Sequence, residues 1–238
     1  MDLPKLYDWE RIRLALRQLD ASFPGLLQSV VLIGGGAAWF YRENLRQWAD
    51  ADFPVPVSGP AEEEIWLSKD VDFMGLTVAE AADLLQTPWD ENTHTFHYAG
   101  LEVDFLEEGL VLFPAEALRS ARQAQLPDVS FNVAEAALLY AEKCALLARK
   151  ARPQDNLHHA LLARFLRCEF CRQAESPAAL RPSRWIARAR DVKTADEKFF
   201  ANDPRFNSRL AKAIAALNAP DHRALKHWAK HHLPGCTK

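Results

Sequence analysis

The hydrophobic pattern of this chain changes at Pro114, and that change limits the folds open to it. Before Pro114, short apolar runs such as Ser29–Ile33 and Leu101–Leu106 are separated by glycine and proline turns, which is typical of strands. After it, apolar residues recur every three or four positions, as in helices, and no strand pattern is found. The sequence therefore predicts an α+β fold: residues 1–115 form a mixed sheet with helices, and residues 116–238 form an α-helical domain.

The elements expected in the first domain alternate between helices and strands. In chain order they are a helix over Asp8–Leu19, a strand over Ser29–Ile33, a proline-rich loop or insertion over Ala49–Glu64, a strand over Asp70–Met74, a helix over Val78–Gln86, a hairpin of Thr93–Tyr98 with Leu101–Leu106, and an edge strand over Leu110–Phe113. The second domain is expected to contain helices over Ala115–Gln125, Val133–Lys150, Asn156–Ala174 and Pro177–Ala189, and two more between Arg205 and His232.

Charge is divided along the chain in a similar way. Residues 1–118 contain 7 Lys and Arg against 21 Asp and Glu, a net charge of −14, whereas residues 119–238 contain 22 against 11, a net charge of +11. An acidic half suits a cation site, and a basic half suits a polyanion such as nucleic acid or nucleotide phosphates. The alternative for both halves is an ordinary solvated surface.

Two groups in the basic half are candidates for contact with nucleic acid. The first combines arginines, which pair with phosphate, with a tryptophan that stacks on bases: Arg181, Arg184, Trp185, Arg188 and Arg190. Its alternative is an amphipathic helix with Trp185 in the core. The second is a histidine cluster near the C-terminus: His222, His227, His231 and His232. Its alternatives are a metal pair at His227 and His231 or surface histidines beside lysines.

Several features of the sequence suit a cytoplasmic protein without contact to a membrane. The charge-free stretch Ser29–Tyr41, which carries three glycines, is shorter than the roughly 20 apolar residues of a spanning helix. The N-terminus alternates charges and has no apolar core of the signal-peptide type. The four cysteines all lie in the second half and lack the density of a disulfide framework.

Two short segments place acidic residues at alternate positions of a strand. Asp70 and Asp72 share one face of the first segment while Val71 and Phe73 take the other face; Glu102 and Asp104 repeat the arrangement. If these strands are neighbours, three carboxylates converge in front of the glycine turn after Ile33. Carboxylate oxygens are suitable ligands for Mg²⁺, and such a cluster can hold two ions for an in-line phosphoryl displacement. An exposed polar strand face is the alternative.

These residues, together with Gly34-Gly35-Gly36, resemble the nucleotidyltransferase superfamily that includes DNA polymerase β. That pattern is a strand-borne glycine pair, then Asp-x-Asp, then one acidic residue on a later strand, here Asp70-Val71-Asp72 and Asp104. The segment Ala141–Arg149, followed by Asp155, looks like the lysine and arginine helix of the AbiEii-like branch, the nucleotidyltransferase toxins of bacterial toxin–antitoxin systems. The first part of the resemblance covers residues 29–106, and the looser part extends it to about 165.

The resemblance implies a set of roles for these residues. Asp70, Asp72 and Asp104 would be the catalytic and metal-binding residues, holding Mg²⁺ or Mn²⁺, and Asp104 would also help to deprotonate the acceptor hydroxyl. Gly35 and Gly36 would present backbone N–H groups to the phosphates of the nucleoside triphosphate (NTP), which is the substrate. Lys143 would steady the triphosphate, although a solvated surface lysine is the alternative. An intradomain salt bridge is the alternative for Arg149 and Asp155.

The implied function is transfer of a nucleoside monophosphate from NTP to a hydroxyl acceptor, with a toxin-like role. RNA, such as tRNA, is the first choice of acceptor, ahead of a protein side chain or a small molecule, and an antitoxin protein is an implied partner. The chain departs from the family where a serine or threonine commonly follows the glycines, because Gly36 and Ala37 occupy that place. This departure favours the alternative function, a catalytically inactive protein of the same fold that binds nucleotide or a partner.

Overall fold

The computed structural model describes residues 8–48, 50, 53, 70–90, 92, 94–98, 101–106, 115–149 and 152–234. The chain divides into two compact units. The sheet unit comprises Met1–Tyr41 and Val57–Glu135, and the helical unit comprises Arg42–Pro56 and Ala136–Lys238. The predicted boundary at residues 115 and 116 therefore falls inside the sheet unit.

The sheet unit is built around a seven-stranded mixed sheet with strand order β3-β4-β5-β2-β1-β7-β6. The strands are β1 (Val31–Leu32), β2 (Val71–Met74), β3 (Trp89–Asp90), β4 (Thr95–Tyr98), β5 (Leu101–Phe105), β6 (Arg122–Leu126) and β7 (Val129–Val133). Two pairs are parallel, β2 with β5 and β1 with β7, and the other neighbours are antiparallel. Alternation along the central strands buries one set of side chains, and Phe73 stacks on Phe105 with ring centroids 5.7 Å apart.

Four α-helices contribute described residues to the sheet unit: α1 (Trp9–Ser22), α2 (Leu26–Ser29), α3 (Gly34–Trp48, up to Tyr41 in this unit) and α4 (Val78–Leu85). Local sequence explains where they begin. Asp8 caps α1 by accepting a hydrogen bond from the backbone N–H of Arg11 at 2.9 Å. Thr77 and Glu80 form a reciprocal capping box at the start of α4.

Five further helices lie in the described part of the helical unit: α5 (Ala136–Arg149), α6 (Pro153–Glu175), α7 (Pro182–Ala195), α8 (Pro204–Ala216) and α9 (Arg223–His232). Proline occupies the first position of α6, α7 and α8, where its missing N–H would have no partner within the helix. The core of the unit is aromatic. Phe170 contacts Trp185, Phe199 and Phe200, and Trp228 contacts Trp185 and Phe200.

The structure confirms the predicted fold class, a mixed sheet with helices followed by a helical region. The predicted hairpin is also confirmed, because β4 and β5 pair antiparallel with Tyr98 opposite Leu101. The expected loop over Ala49–Glu64 lies almost entirely outside the described residues, and the expected edge strand over Leu110–Phe113 lies wholly outside them. Within the described part of the chain, no helix combines the length and apolar character needed to cross a membrane.

The prediction of helices alone after Pro114 was wrong. Where a helix was expected over Ala115–Gln125, a short 3₁₀ helix (Ala115–Ser120) is followed by β6, and β7 precedes α5. The residues of β7 do alternate between buried and half-buried, with Val129, Phe131 and Val133 buried. In β6 only Ala124 is buried, since this strand lies at the edge of the sheet, and its local pattern is therefore weak.

Candidate metal centre

Strand pairing brings the three predicted carboxylates together on the sheet unit. The parallel pairing of β2 with β5 places Asp72 directly opposite Asp104, and Asp70 lies two positions before Asp72. One oxygen of each of these carboxylates lies within 4.8 Å of the others, and all three residues are half-buried. The expected convergence of Asp70, Asp72 and Asp104 is confirmed, and we call this group the acidic triad.

The glycine turn lies against the acidic triad. Gly34 has φ +60°, a left-handed conformation that glycine adopts without steric penalty. A Cβ at this position would overlap the Oδ2 atom of Asp72 and lie 2.9 Å from its Cγ atom. The Ile33 N–H also donates a 3.0 Å hydrogen bond to the carbonyl of Asp72. Only a residue without a side chain therefore allows the Asp72 carboxylate to occupy this place beside the turn.

The three glycines form the first turn of α3, so the amino end of a helix adjoins Asp72. The N–H groups of a first helical turn have no intrahelical acceptor and carry the positive end of the helix dipole, which favours anions. Gly35 is half-buried, whereas Gly36 is buried. A Cβ on Gly36 would lie 3.0 Å from Leu32 Cδ1, so its small size serves the packing of α3 on β1. The predicted contacts of Gly35 and Gly36 with phosphate stay predictions.

The acidic triad is suited to a cation. Three like charges at this separation repel one another, and a cation among them lowers that repulsion. Mg²⁺ binds oxygen at about 2.1 Å, so oxygens that share one ion lie roughly 3 to 4 Å apart. The separations in the acidic triad, within 4.8 Å, are close to that range. Glu102, on the same strand as Asp104, is not part of the group and lies opposite His97 of β4. The donor set could hold a cation that prefers oxygen ligands and does not distinguish among such cations.

Lys143 belongs to the helical unit, where its ammonium group is buried in an ion pair. Its Nζ atom lies 3.0 Å from Asp155 Oδ1, and the two side chains are 6% and 1% exposed. Asp155 also accepts hydrogen bonds from the backbone N–H of Arg152 at 3.3 Å and from its Nε atom at 2.9 Å. Lys143 is thus not a solvated surface lysine, and Asp155 forms the intradomain salt bridge that was its alternative. A contact between Lys143 and a triphosphate stays a prediction.

The surroundings of this ion pair change the pKa of nearby groups. Burial opposes ionisation of Asp155, but hydrogen bonds from Arg152 and Lys143 outweigh it and hold its pKa well below the usual range. Burial lowers the pKa of His158 to about 3, and the positive charge of Lys143 acts in the same direction. Burial also raises the pKa of Glu142. These groups form a structural network within the helical unit.

The arginine and tryptophan group on α7 does not form the predicted stacking surface. Trp185 is 1% exposed and donates a 3.3 Å hydrogen bond from its indole N–H to the carbonyl of Phe170. Arg188 is also buried, and its Nη2 atom lies 2.8 Å from Glu169 Oε2. The alternative of an amphipathic helix with Trp185 in the core is therefore correct. Arg181, Arg184 and Arg190 are exposed.

Gly34 is the site residue whose role the sequence reasoning missed, since it assigned the phosphate contacts to the two glycines that follow. The position of Gly34 in the sequence is the signal that could have revealed this role. The first glycine after a strand is the one that must reverse the chain, and a positive φ at that point brings its Cα against the neighbouring strand.

Neither a protein-family model nor a curated protein matches the sequence. The case for function therefore rests on the chemistry of the site itself.

Proposed function

We propose that this protein is a metal-dependent nucleotidyltransferase that moves a nucleoside monophosphate from an NTP to a hydroxyl acceptor. The observation that carries the proposal is the meeting of three carboxylates with the glycine-rich amino end of α3. Carboxylates provide ligands for a cation, and the helix end provides N–H donors for phosphate. The sequence resemblance to the DNA polymerase β superfamily supports the same reaction and Mg²⁺ or Mn²⁺ as the cation.

The residues have separate tasks in the proposed reaction. Asp70 and Asp72 would hold the cation that carries the triphosphate, and a cation there would supply neutralisation of the charge that develops on the phosphoryl oxygens. The acceptor oxygen attacks the α-phosphorus, the bond from that phosphorus to the oxygen bridging to the β-phosphate breaks, and pyrophosphate leaves. Asp104 takes the proton of the acceptor hydroxyl. Gly34 keeps the Asp72 carboxylate in place because no side chain competes for that volume.

The proposal is tested by measuring nucleotide transfer by the wild type and its loss in a variant whose triad is neutralised. The protein would be incubated with each labelled NTP, Mg²⁺ and total RNA, and labelled RNA and released pyrophosphate would be measured. Asp70→Asn with Asp72→Asn should lower the transfer rate about a thousandfold, because the cation loses its charged ligands. Asp83→Asn on α4 is the matched control, since that carboxylate is exposed and outside the triad. Equal activity of the double variant and the wild type would reject the site.

The alternative function is a nucleotide-binding or partner-binding protein that has lost turnover. It is favoured by the first turn of α3, where Gly34-Gly35-Gly36-Ala37 offers no hydroxyl side chain to a phosphate. Asp104→Ala separates the two functions. In an enzyme it lowers transfer by orders of magnitude with a smaller effect on NTP affinity, because its contribution is made in the transition state. If the wild-type protein binds NTP with metal but releases no pyrophosphate with any acceptor, that result supports the alternative function.

The acceptor and the biological role are proposed from the resemblance and the charge of the second half. RNA, such as tRNA, is the first acceptor to test, followed by protein side chains and small hydroxyl compounds. A toxin-like role with an antitoxin partner stays a prediction from the AbiEii-like segment around Lys143.

A further inference from the structure

The last helix, α9, presents one face to the core of the helical unit and a different face to solvent. Leu225, Trp228 and Ala229 are buried. The solvent face carries five basic side chains at alternating spacings of three, one, three and one residues, which keeps them on one side of the helix: Arg223, Lys226, His227, Lys230 and His231. We call these five residues the basic stripe. It extends for about 12 Å along the helix, at 1.5 Å per residue.

Packing against α7 fixes the orientation of α9. Trp228 of α9 contacts Trp185 of α7 with ring centroids 5.1 Å apart. Lys193 Nζ lies 3.1 Å from the Nδ1 atom of His232, the last residue of α9. His227 and His231 stand one turn apart with ring centroids separated by 4.5 Å. His232 lies one turn after Trp228 on the same side of α9, so these contacts orient the helix and leave the basic stripe on its opposite, exposed side.

The charged groups around His232, at the carboxyl end of α9, are basic. Burial lowers the pKa of His232, and the four charged neighbours that lower it further are Lys193, His231, Arg190 and His227. Helices α8 and α9 contain no acidic residue, and α7 contains one, Asp191. Such a concentration of like charge is stabilised when an anion binds across it.

We propose that the basic stripe binds the phosphodiester backbone of a nucleic acid. A linear row of cations at one-turn spacing suits a chain of phosphates better than one small anion. The buried apolar face of α9 leaves no side chain to insert into a membrane, and Ala224 is the exposed apolar residue of the helix, so the surface lacks the aromatic anchors of protein interfaces.

The geometry also predicts what this surface reads. Trp228 is buried, so α9 offers no indole on which bases can stack. Charged side chains that contact phosphates position a nucleic acid but carry little sequence information. Binding is therefore expected to be independent of base sequence. The evidence for the surface is independent of the acidic triad, and only the identification of the nucleic acid as RNA rests on the proposed function.

The test is fluorescence anisotropy with a labelled RNA hairpin, a DNA duplex and poly-glutamate, in the absence of NTP and divalent metal, from about 50 to 200 mM salt. The stripe variant is Arg223→Gln with Lys226→Gln and Lys230→Gln. The control, Arg181→Gln with Arg184→Gln and Arg205→Gln, removes the same charge from exposed positions outside the stripe. Each phosphate contact contributes close to one unit of the log–log salt slope, so the stripe variant should lower the slope by about two to three and the affinity at least tenfold.

The outcomes distinguish this proposal from its rivals and from the proposed function. Equal losses in the stripe variant and the control, or undetectable binding by the wild type, would overturn it. Poly-glutamate that binds as tightly as RNA would replace it by an acidic-protein site. Comparing the affinities for the RNA and DNA probes shows which of the two nucleic acids supplies the phosphodiester backbone. The single variant Lys230→Gln, expected to lower the slope by about one, serves if the triple variant does not fold. Asp70→Asn with Asp72→Asn should bind RNA like the wild type whether or not nucleotide transfer occurs.

Discussion

Three carboxylates of like sign meet on the sheet unit, whereas in the helical unit the carboxylate of Asp155 meets the cations of Lys143 and Arg152. The residues of the first group are half-buried. The second is an internal pair in which the Asp155 side chain is 1% exposed. Like charges held close together lower the stability of the fold until a cation binds among them. In a buried pair of opposite charges each group depends on the other, because removal of one leaves the other buried without a partner. The comparison supports a structural role for the Lys143–Asp155 pair, and it leaves the acidic triad as the group for which we propose cation binding.

Removal of Asp155 should produce the largest loss of stability. Asp155→Ala leaves the buried ammonium of Lys143 without its carboxylate, and such changes lower the free energy of unfolding by about 3 to 5 kcal/mol. Chemical denaturation would measure it. Adding Lys143→Met should restore part of the loss, because the buried charge is then removed as well. Asp83→Ala, at an exposed helical position, is the control. A loss below about 1 kcal/mol would mean that water replaces the carboxylate and that the pair is not structural.

Stability of the helical unit should fall as pH falls from 7 to 4, because of His158. The unfolded chain binds a proton at this residue near its ordinary pKa of about 6.5, whereas the folded chain binds it only near pH 3. Between these values the unfolded state holds more protons, so the free energy of unfolding decreases with decreasing pH, by roughly 3 kcal/mol at pH 4. The lowered pKa of Asp155 acts in a separate window, below about pH 4.

Urea denaturation at several pH values would measure this dependence, with His158→Gln as the variant. The substitution should flatten the slope between pH 7 and 4, and His97→Gln, at an exposed position of β4, should leave it unchanged. The same slope in His158→Gln and wild type would assign the pH dependence to other groups.

Gly25 and Gly34 both have positive φ, so comparing their variants separates the contact of Gly34 with Asp72 from the cost of a left-handed backbone. Gly34→Ala should lower the free energy of unfolding by about 2 kcal/mol, because the new Cβ displaces the Asp72 carboxylate. It should also remove the thermal stabilisation that the proposed function predicts for the wild type with Mg²⁺ and NTP. Gly25→Ala has only the left-handed backbone to oppose it, since nothing lies within 4 Å of its Cβ position, and should lower stability by about 1 kcal/mol. Calorimetry of both variants with and without ligand is the measurement. Retention of the ligand effect in Gly34→Ala would exclude Gly34 from the site.

The smallest expected effect has the opposite sign to that of Asp155→Ala. Asp70→Asn removes one of three like charges, so in the absence of metal it should raise the free energy of unfolding by about 1 kcal/mol. It should also weaken the stabilisation that Mg²⁺ gives to the wild type. Asp83→Asn is expected to change neither quantity. Thermal unfolding in EDTA and in Mg²⁺ would measure both, and a lower stability of Asp70→Asn in EDTA would show that this carboxylate has a structural role like that of Asp155.

The local sequence determined the strands that carry the acidic triad. Alternation places Asp70 and Asp72 on one face and Val71 and Phe73 on the other, because successive side chains of any strand point to opposite sides. It also predicted the hairpin that leads into β5. Both patterns depend on backbone geometry over a few residues, which is the range in which sequence is most informative.

Only the tertiary structure decided which residues those elements meet. The parallel pairing of β2 with β5, separated by two other strands in sequence, is what brings Asp72 opposite Asp104. Long-range packing likewise placed Trp185 and Arg188 in the core, although the same helical pattern suits a surface, and it gave β6 its place at the sheet edge. The periodicity of the sequence predicts which side chains share a face of a helix or strand. Burial and the choice of neighbouring strands depend on contacts between segments that are distant in sequence, and a local pattern carries no information about the free energy of those contacts.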